Sequence, residues 1–299
     1  MKQTVLVLGA TGRFGRNVAT AFARNNWTVR KFDRRTDDLM QAANGADMII
    51  AGWNPPYQDW AAQVQELHAR IRQAALANDA TVLLPGNLYV FGHQTPAPWG
   101  ANSPHQATNP LGLIRRRMEE AYRREGVRTI LLRAGDYLDT EASGNWFDMV
   151  MAKKLAKGVL TYPGRLDAAH AWAYLPDLAR AAVDLADKRD ALQRFEDIPF
   201  AGYTLTGTEL AQTLSRALGH PVSARQMSWL PLHLLRPFDR SMKHLLEMRY
   251  LWNTPHSLDA TRLRAVLPDF QATPAEQALR MASSHAANPV QRAMSTQTS

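Results

Sequence analysis

Val5-Leu6-Val7-Leu8-Gly9-Ala10-Thr11-Gly12-Arg13-Phe14-Gly15 is the stretch that decides the fold. An apolar run of strand type ends on three glycines spaced three apart, and Val18, Ala19, Phe22 and Ala23 then share one face at helical spacing. Strand, glycine turn and helix form the opening of a dinucleotide-binding βαβ unit. Glycines let the backbone turn tightly and approach a pyrophosphate. The helix that follows offers that anion its unpaired N–H groups and the positive end of its dipole. Gly9, Thr11, Gly12, Arg13, Phe14 and Gly15 are the expected cofactor contacts around this turn.

A second strand, Trp27 to Phe32, leads into Asp33, 24 residues after Gly9. A carboxylate there accepts hydrogen bonds from the adenosine ribose hydroxyls and so selects NAD. Arg34 and Arg35 follow at once, and guanidinium groups in such places suit the 2′-phosphate of NADP. Because a carboxylate repels that phosphate, NAD is favoured by a narrow margin and NADP is the alternative.

Outward from this unit, strand and helix patterns alternate, which predicts a parallel sheet with helices on both faces. Met48–Ala51 reads as a third strand, 58–77 as a helix, and Thr81–Leu84 as a fourth strand stopped by Pro85-Gly86. Residues 93–110 read as a long loop, 111–125 as a helix ended by Gly126, and Val127–Leu132 as another buried strand. Further on, Asn145–Lys157 and Pro176–Lys188 read as helices, and Thr206 with Glu209 makes a capping box for a helix closed by Gly219. Leu230–Trp252 is an apolar and basic segment, helical apart from Pro231 and Pro237, and the last fifteen or so residues are polar and expected to fray. The expected architecture is α/β, a doubly wound parallel sheet with a smaller carboxyl-terminal α/β substrate domain. Residues 1–165 form the dinucleotide domain and 166–299 the smaller one, with helix 176–188 and a strand near 195–200 packing back on the first.

The chain has 299 residues, 45% of them hydrophobic, which is ample for a sizeable core. It has no cysteine, so disulfides and thiolate chemistry are excluded. No signal-peptide pattern and no apolar run of membrane-spanning length is present, and a cytoplasmic protein is expected. The formal charge is +8. Part of that excess, Arg115-Arg116-Arg117 and Arg123-Arg124, is read as the exposed face of one helix with Glu119, Glu120 and Glu125 interleaved, rather than as a nucleic-acid patch.

These ordered features resemble the extended short-chain dehydrogenase/reductase superfamily over roughly residues 3–285. Gly9, Gly12 and Gly15 match its cofactor turn, Asp33 its ribose acid, and Ala51-Gly52 the end of its third strand beside the cofactor. Leu131-Leu132-Arg133 matches its buried strand before the substrate domain, and Trp172–Ala179 its segment leading into a helix near the substrate. The resemblance implies a Ser or Thr, a Tyr and a Lys in the active site, the Tyr exchanging a proton as hydride moves. Here Asn87 stands in the hydroxyl position, Leu111 in that of the Tyr and Arg115 in that of the Lys. Leucine donates no proton, and arginine keeps its charge at physiological pH.

General acid–base catalysis contributes on the order of 10² to 10⁴ in rate, so the loss matters. Asn87, Arg115 and Tyr89 remain as candidate catalytic groups, although the resemblance implies that the Tyr89 position packs inward. Tyr137, Tyr174, His93 and His170 are other candidate acids. A substrate pocket lined by Trp53, Asn54, Tyr137, His170, Trp172 and Tyr174 is expected at the carboxyl ends of the strands. His170 stands where the resemblance implies an Arg for the substrate phosphates. A narrower likeness to a bacterial subgroup of NAD-dependent epimerase/dehydratase proteins rests on Asn54-Pro55-Pro56-Tyr57 with Trp60, on Asn87–Gly92, on Gly112 with Arg115, and on the stretch from Leu245 to Tyr250. Two functions follow: an NAD(P)-dependent reductase or epimerase acting on a small polar carbonyl or alcohol, or a non-catalytic dinucleotide-binding redox sensor of the NmrA type. A homodimer through helix 111–125 is a further expectation of the resemblance.

Overall fold

A computed structural model describes residues 2–235 and 240–287. Pro237 and the polar tail lie outside those residues. The chain divides into two compact units. The first comprises Met1–Ala134, Leu178–Phe200 and Asp259–Phe270, and the second Gly135–Asp177, Ala201–Leu258 and the residues from Gln271 onward. The chain therefore leaves the first unit at 134, not 165, and returns to it twice. The sequence reading had helix 176–188 and a strand near 195–200 packing back on the first unit; it had no return at Asp259–Phe270, which is made by packing between distant segments.

In the first unit, β1 (Thr4–Leu8), α1 (Arg13–Arg24), β2 (Thr28–Phe32), α2 (Leu39–Ala43), β3 (Met48–Ala51), α3 (Trp60–Ala77) and β4 (Thr81–Gly86) follow one another. α4 (Pro110–Arg124) and β5 (Thr129–Arg133) come next. The second unit contributes β6 (Asp136–Leu138), β7 (Val159–Tyr162) and β8 (His170–Tyr174). The chain then re-enters the first unit through α5 (Leu175–Asp187) and β9 (Phe195–Pro199). β10 (Tyr203–Leu205), α6 (Gly207–Leu218), β11 (Ser223–Gln226), α7 (Leu230–Leu235) and α8 (Arg240–Met248) belong to the second unit. α9 (Thr261–Val266) lies in the first and α10 (Ala275–Ala287) in the second.

The six strands of the main sheet are parallel, in the order β2-β1-β3-β4-β5-β9. β1, β3, β4 and β5 are almost wholly buried, as continuous apolar runs covered on both faces must be. Strand order reverses between β1 and β3, and the carboxyl ends of those two strands are where a doubly wound sheet opens a crevice. Leu8 pairs with Ala51 there, which sets the glycines after β1 against Gly52.

Two local departures from the sequence reading matter. β4 continues through Pro85-Gly86 instead of stopping, because Pro85 pairs opposite Leu132 and its carbonyl accepts a bond from the Arg115 guanidinium. Asn145–Lys157 is a π-turn, Phe147–Met151, followed by a 3₁₀ segment, Ala152–Lys157, closed by Gly158 in the left-handed region. In the second unit, β10, β8 and β6 form one sheet and β11 pairs with β7 in another. Its core gathers Trp172, Tyr162, Trp252, Phe147, Leu210 and Leu214.

Candidate active site

The turn after β1 is shaped by close backbone approach. Gly9 has φ +75°, and a Cβ on it would meet the Gly52 carbonyl carbon and the Trp53 nitrogen at 2.8 Å. A Cβ on Gly15 would stand 2.2 Å from the Gly9 carbonyl oxygen, and one on Gly52 2.8 Å from the Leu8 oxygen. Only glycine fits these three places. Gly12 closes the turn by donating its N–H to the Gly9 carbonyl at 3.0 Å. As N-cap of α1 it has no side chain to satisfy the first-turn N–H groups, and no acidic residue lies in that turn. The helix start is left as an anion-binding end. Thr11, Gly12 and Arg13 are exposed at its mouth. Phe14 differs from the expectation: its ring is buried, towards Gly52, so it packs the crevice floor and only its backbone is available to a ligand.

Asp33 stands at the end of β2 with its carboxylate half exposed. Arg35 donates to it through its backbone N–H at 3.0 Å, Nε at 3.3 Å and an Nη at 3.1 Å. The side-chain bond to Arg35 is the main reason that the carboxyl is held below the usual aspartate range. Arg34 turns the other way and lies 5.7 Å over the Trp53 ring, beside Phe32. The Trp53 indole nitrogen is buried with no hydrogen-bond partner among the described residues. A charged acceptor, an aromatic face and an orphaned donor thus sit at the carboxyl ends of β2 and β3, where the adenosine half of a dinucleotide belongs. Asn54 is exposed beside them.

Beyond β4, Asn87 closes a turn by accepting the Tyr89 N–H on Oδ1 at 3.1 Å, and its Nδ2 group has no partner among the described residues. Tyr89 does not pack inward as expected. It is half-buried, and its hydroxyl lies 2.5 Å from that of Tyr57. Trp60 packs edge-on to Tyr57 and tilted to Tyr89, its own indole N–H held by the Pro55 carbonyl. The sequence reading quoted Tyr57 but gave it no part in the site. The two tyrosines are 32 residues apart in sequence and are brought together by the pairing of β3 with β4 and by Trp60, which packs on both.

Arg115 is buried and turned under this group. It donates to the Pro85 carbonyl at 2.7 Å, approaches Glu119 at 3.9 Å and lies 6.0 Å from the Trp60 ring. Nearby, the fully buried Arg133 donates to the Asn87 carbonyl at 2.7 Å, to Glu119 at 2.9 Å and to Asp197 at 2.7 Å. The arginines hold the backbone on either side of Asn87 from beneath. Leu111, in the expected tyrosine position, is also buried.

In the second unit, His170 is buried and bonds through Nε2 to Asp136 at 2.8 Å, while its ring stacks on Trp252 at 4.3 Å. Trp172 is fully buried in the core and donates to the Leu205 carbonyl. Tyr174 is 3% exposed, and its hydroxyl meets the Met281 sulfur at 3.3 Å. Burial pushes that phenol up to about 12. The expectation that Trp172 and Tyr174 line an open pocket is therefore corrected: both are core residues. Their strand is buried along its whole length, so it shows no alternation that would separate lining from packing. Tyr137 is half-buried and Asp136 one-third exposed.

The fold is shared with solved nucleotide-sugar epimerases. A nucleoside-diphosphate-sugar epimerase from Pseudomonas aeruginosa matches with a TM-score of 0.70 at 17% identity, over 94% of this chain and 96% of that one. A UDP-glucose 4-epimerase from Brucella ovis, solved with NAD, gives 0.71 at 15% identity over 95% and 98%. One from Bifidobacterium longum, solved with NAD+ and UDP, gives 0.67 at 15% identity over 97% and 98%. No protein-family model matches the chain, and no curated protein matches it. At these identities the likeness is one of fold: a six-stranded parallel sheet flanked by helices, with a second, smaller unit.

Proposed function

We propose that this chain is an NAD-dependent, epimerase-like enzyme acting on a small polar carbonyl or alcohol. The glycine cradle carries the reading: Gly9, Gly15 and Gly52 meet where a single methyl group would close the turn, and α1 begins there uncapped. Gly12, Thr11 and the first-turn N–H groups would hold the pyrophosphate, Asp33 the ribose hydroxyls, and Trp53 with Arg34 the adenine side. The solved epimerases of the same fold that contain NAD support the choice of NAD over NADP. Bound nicotinamide would supply or accept a hydride.

The chain's own part is polar contact with the reacting oxygen. Asn87 offers its Nδ2 donor at the end of β4, and Tyr89 a hydroxyl two residues on. Arg115 is assigned a positioning role, because its guanidinium is spent on the Pro85 carbonyl and Glu119. Calorimetry with NAD, NADH and NADPH tests the reading. Micromolar binding of NAD or NADH is expected, abolished by Gly15→Ala. Folded protein that takes up none of the three overturns it. NADH binding with no turnover of any carbonyl returns the non-catalytic sensor instead.

A further inference from the structure

We propose that Tyr57 and Tyr89 together form the proton donor of this site, in place of the tyrosine and lysine that the sequence lacks. The inference rests on the reading of the chain as a nicotinamide-dependent enzyme. Four observations within the first unit support it. The two hydroxyls are 2.5 Å apart and neither side chain is fully buried. Both follow the carboxyl ends of central strands, Tyr57 after β3 and Tyr89 after β4, beside Asn87. Trp60 holds both rings from one side, with ring centroids at 5.1 Å from Tyr57 and 6.1 Å from Tyr89. Arg115 places a fixed positive charge 6.0 Å from the centre of the Trp60 ring.

A phenol donates a proton well only if the phenolate it leaves is stabilised. In the expected arrangement a lysine does this by charge. Either hydroxyl can donate in this pair; once Tyr89 has given up its proton the Tyr57 O–H is the donor, and a hydrogen bond to an anionic oxygen is about twice as strong as a neutral one. The balance is as follows. With hydride supplied to the carbonyl carbon by bound reduced nicotinamide, the Tyr89 O–H bond would break and its proton would join the carbonyl oxygen. Tyr89 is left as a phenolate bonded by Tyr57, and water returns the proton. The nicotinamide is oxidised and the carbonyl reduced to an alcohol. Asn87 Nδ2 donates to the same carbonyl oxygen, and Tyr57, which acts through Tyr89, is a positioning residue.

Two readouts on the full chain test the pair. In proton NMR, a single resonance downfield of the amide envelope is expected from the shared hydroxyl proton, lost in both Tyr57→Phe and Tyr89→Phe. Its absence from the wild type overturns the proposal. With NADH and either 9,10-phenanthrenequinone or glyceraldehyde as carbonyl probe, Tyr89→Phe is expected to lower kcat on the order of 100-fold and Tyr57→Phe about tenfold, with KM for NADH unchanged. Equal kcat in wild type and both variants overturns the pair and leaves the enzyme reading standing. NADH binding without oxidation by either probe overturns the pair as an acid. Failure to bind NADH, with the downfield resonance present, overturns the parent reading and this assignment with it.

Discussion

A methyl group at Gly15 would lie 2.2 Å from the Gly9 carbonyl, a distance no packing adjustment accommodates without moving β1 or α1. Gly15→Ala is accordingly expected to weaken NAD binding at least 100-fold, measured by calorimetry on folded protein. Asp33, proposed to hold the ribose hydroxyls, gives a gentler test. Asp33 is fixed by Arg35 on three bonds, so its oxygens are pre-aimed and their negative charge is partly answered. Asp33→Asn should cost about tenfold in NAD affinity, the worth of a charged hydrogen bond, and less in NADPH affinity because the repulsion of a 2′-phosphate goes with it. An unchanged NAD to NADPH ratio would assign Asp33 to the turn alone. At this scale the sequence was most legible where backbone geometry is the function: the glycines and Asp33 were evident from spacing. It was least legible where function depends on a contact, as with Tyr57.

Among elements, α4 shows how far a surface pattern misleads. Its arginine run reads as a solvated face, and Arg117, Arg123 and Arg124 are exposed as expected. Arg115 and Glu119, however, point inward and meet Arg133 and Asp197 in a buried ionic group. Glu125 pairs with Arg72 of α3 and not chiefly with its own helix. Breaking such a group from one side leaves charges uncompensated, so Arg133→Met is expected to cost roughly 3–5 kcal/mol in urea unfolding. Loss of activity should exceed what that instability explains, because the Asn87 carbonyl loses its partner. A much smaller change is expected at the start of α6. There the capping box predicted from Thr206 and Glu209 is formed in both directions, and Thr206→Ala should cost about 1 kcal/mol.

Over the whole molecule, buried imidazoles contribute to the response to acid. Burial, and then His170 beside it, hold His256 down to about 3 from an ordinary 6.5. Burial, then Arg115 and Arg72, lowers His68 as well. Unfolded chain takes up a proton on each below about pH 6.5, whereas folded chain does not. The contribution of His256 is therefore full above pH 7 and falls by up to about 1.4 kcal/mol per pH unit as pH drops towards 3, and that of His68 is lost in the same direction. Thermal melts between pH 8 and pH 4 should show this slope flattened in His256→Asn; an unaltered slope would remove His256 as its cause.

What the sequence by itself determined is the doubly wound sheet, its order of alternation and the dinucleotide turn, because periodicity, glycine spacing and capping are local and survive in one dimension. Tertiary structure alone decided which arginines are buried, that the chain leaves its first unit at 134 and comes back to it a second time at Asp259–Phe270, and that Tyr57 meets Tyr89. Those outcomes depend on side chains brought together by strand pairing across tens of residues. A chain's composition constrains such meetings only through the fold that produces them.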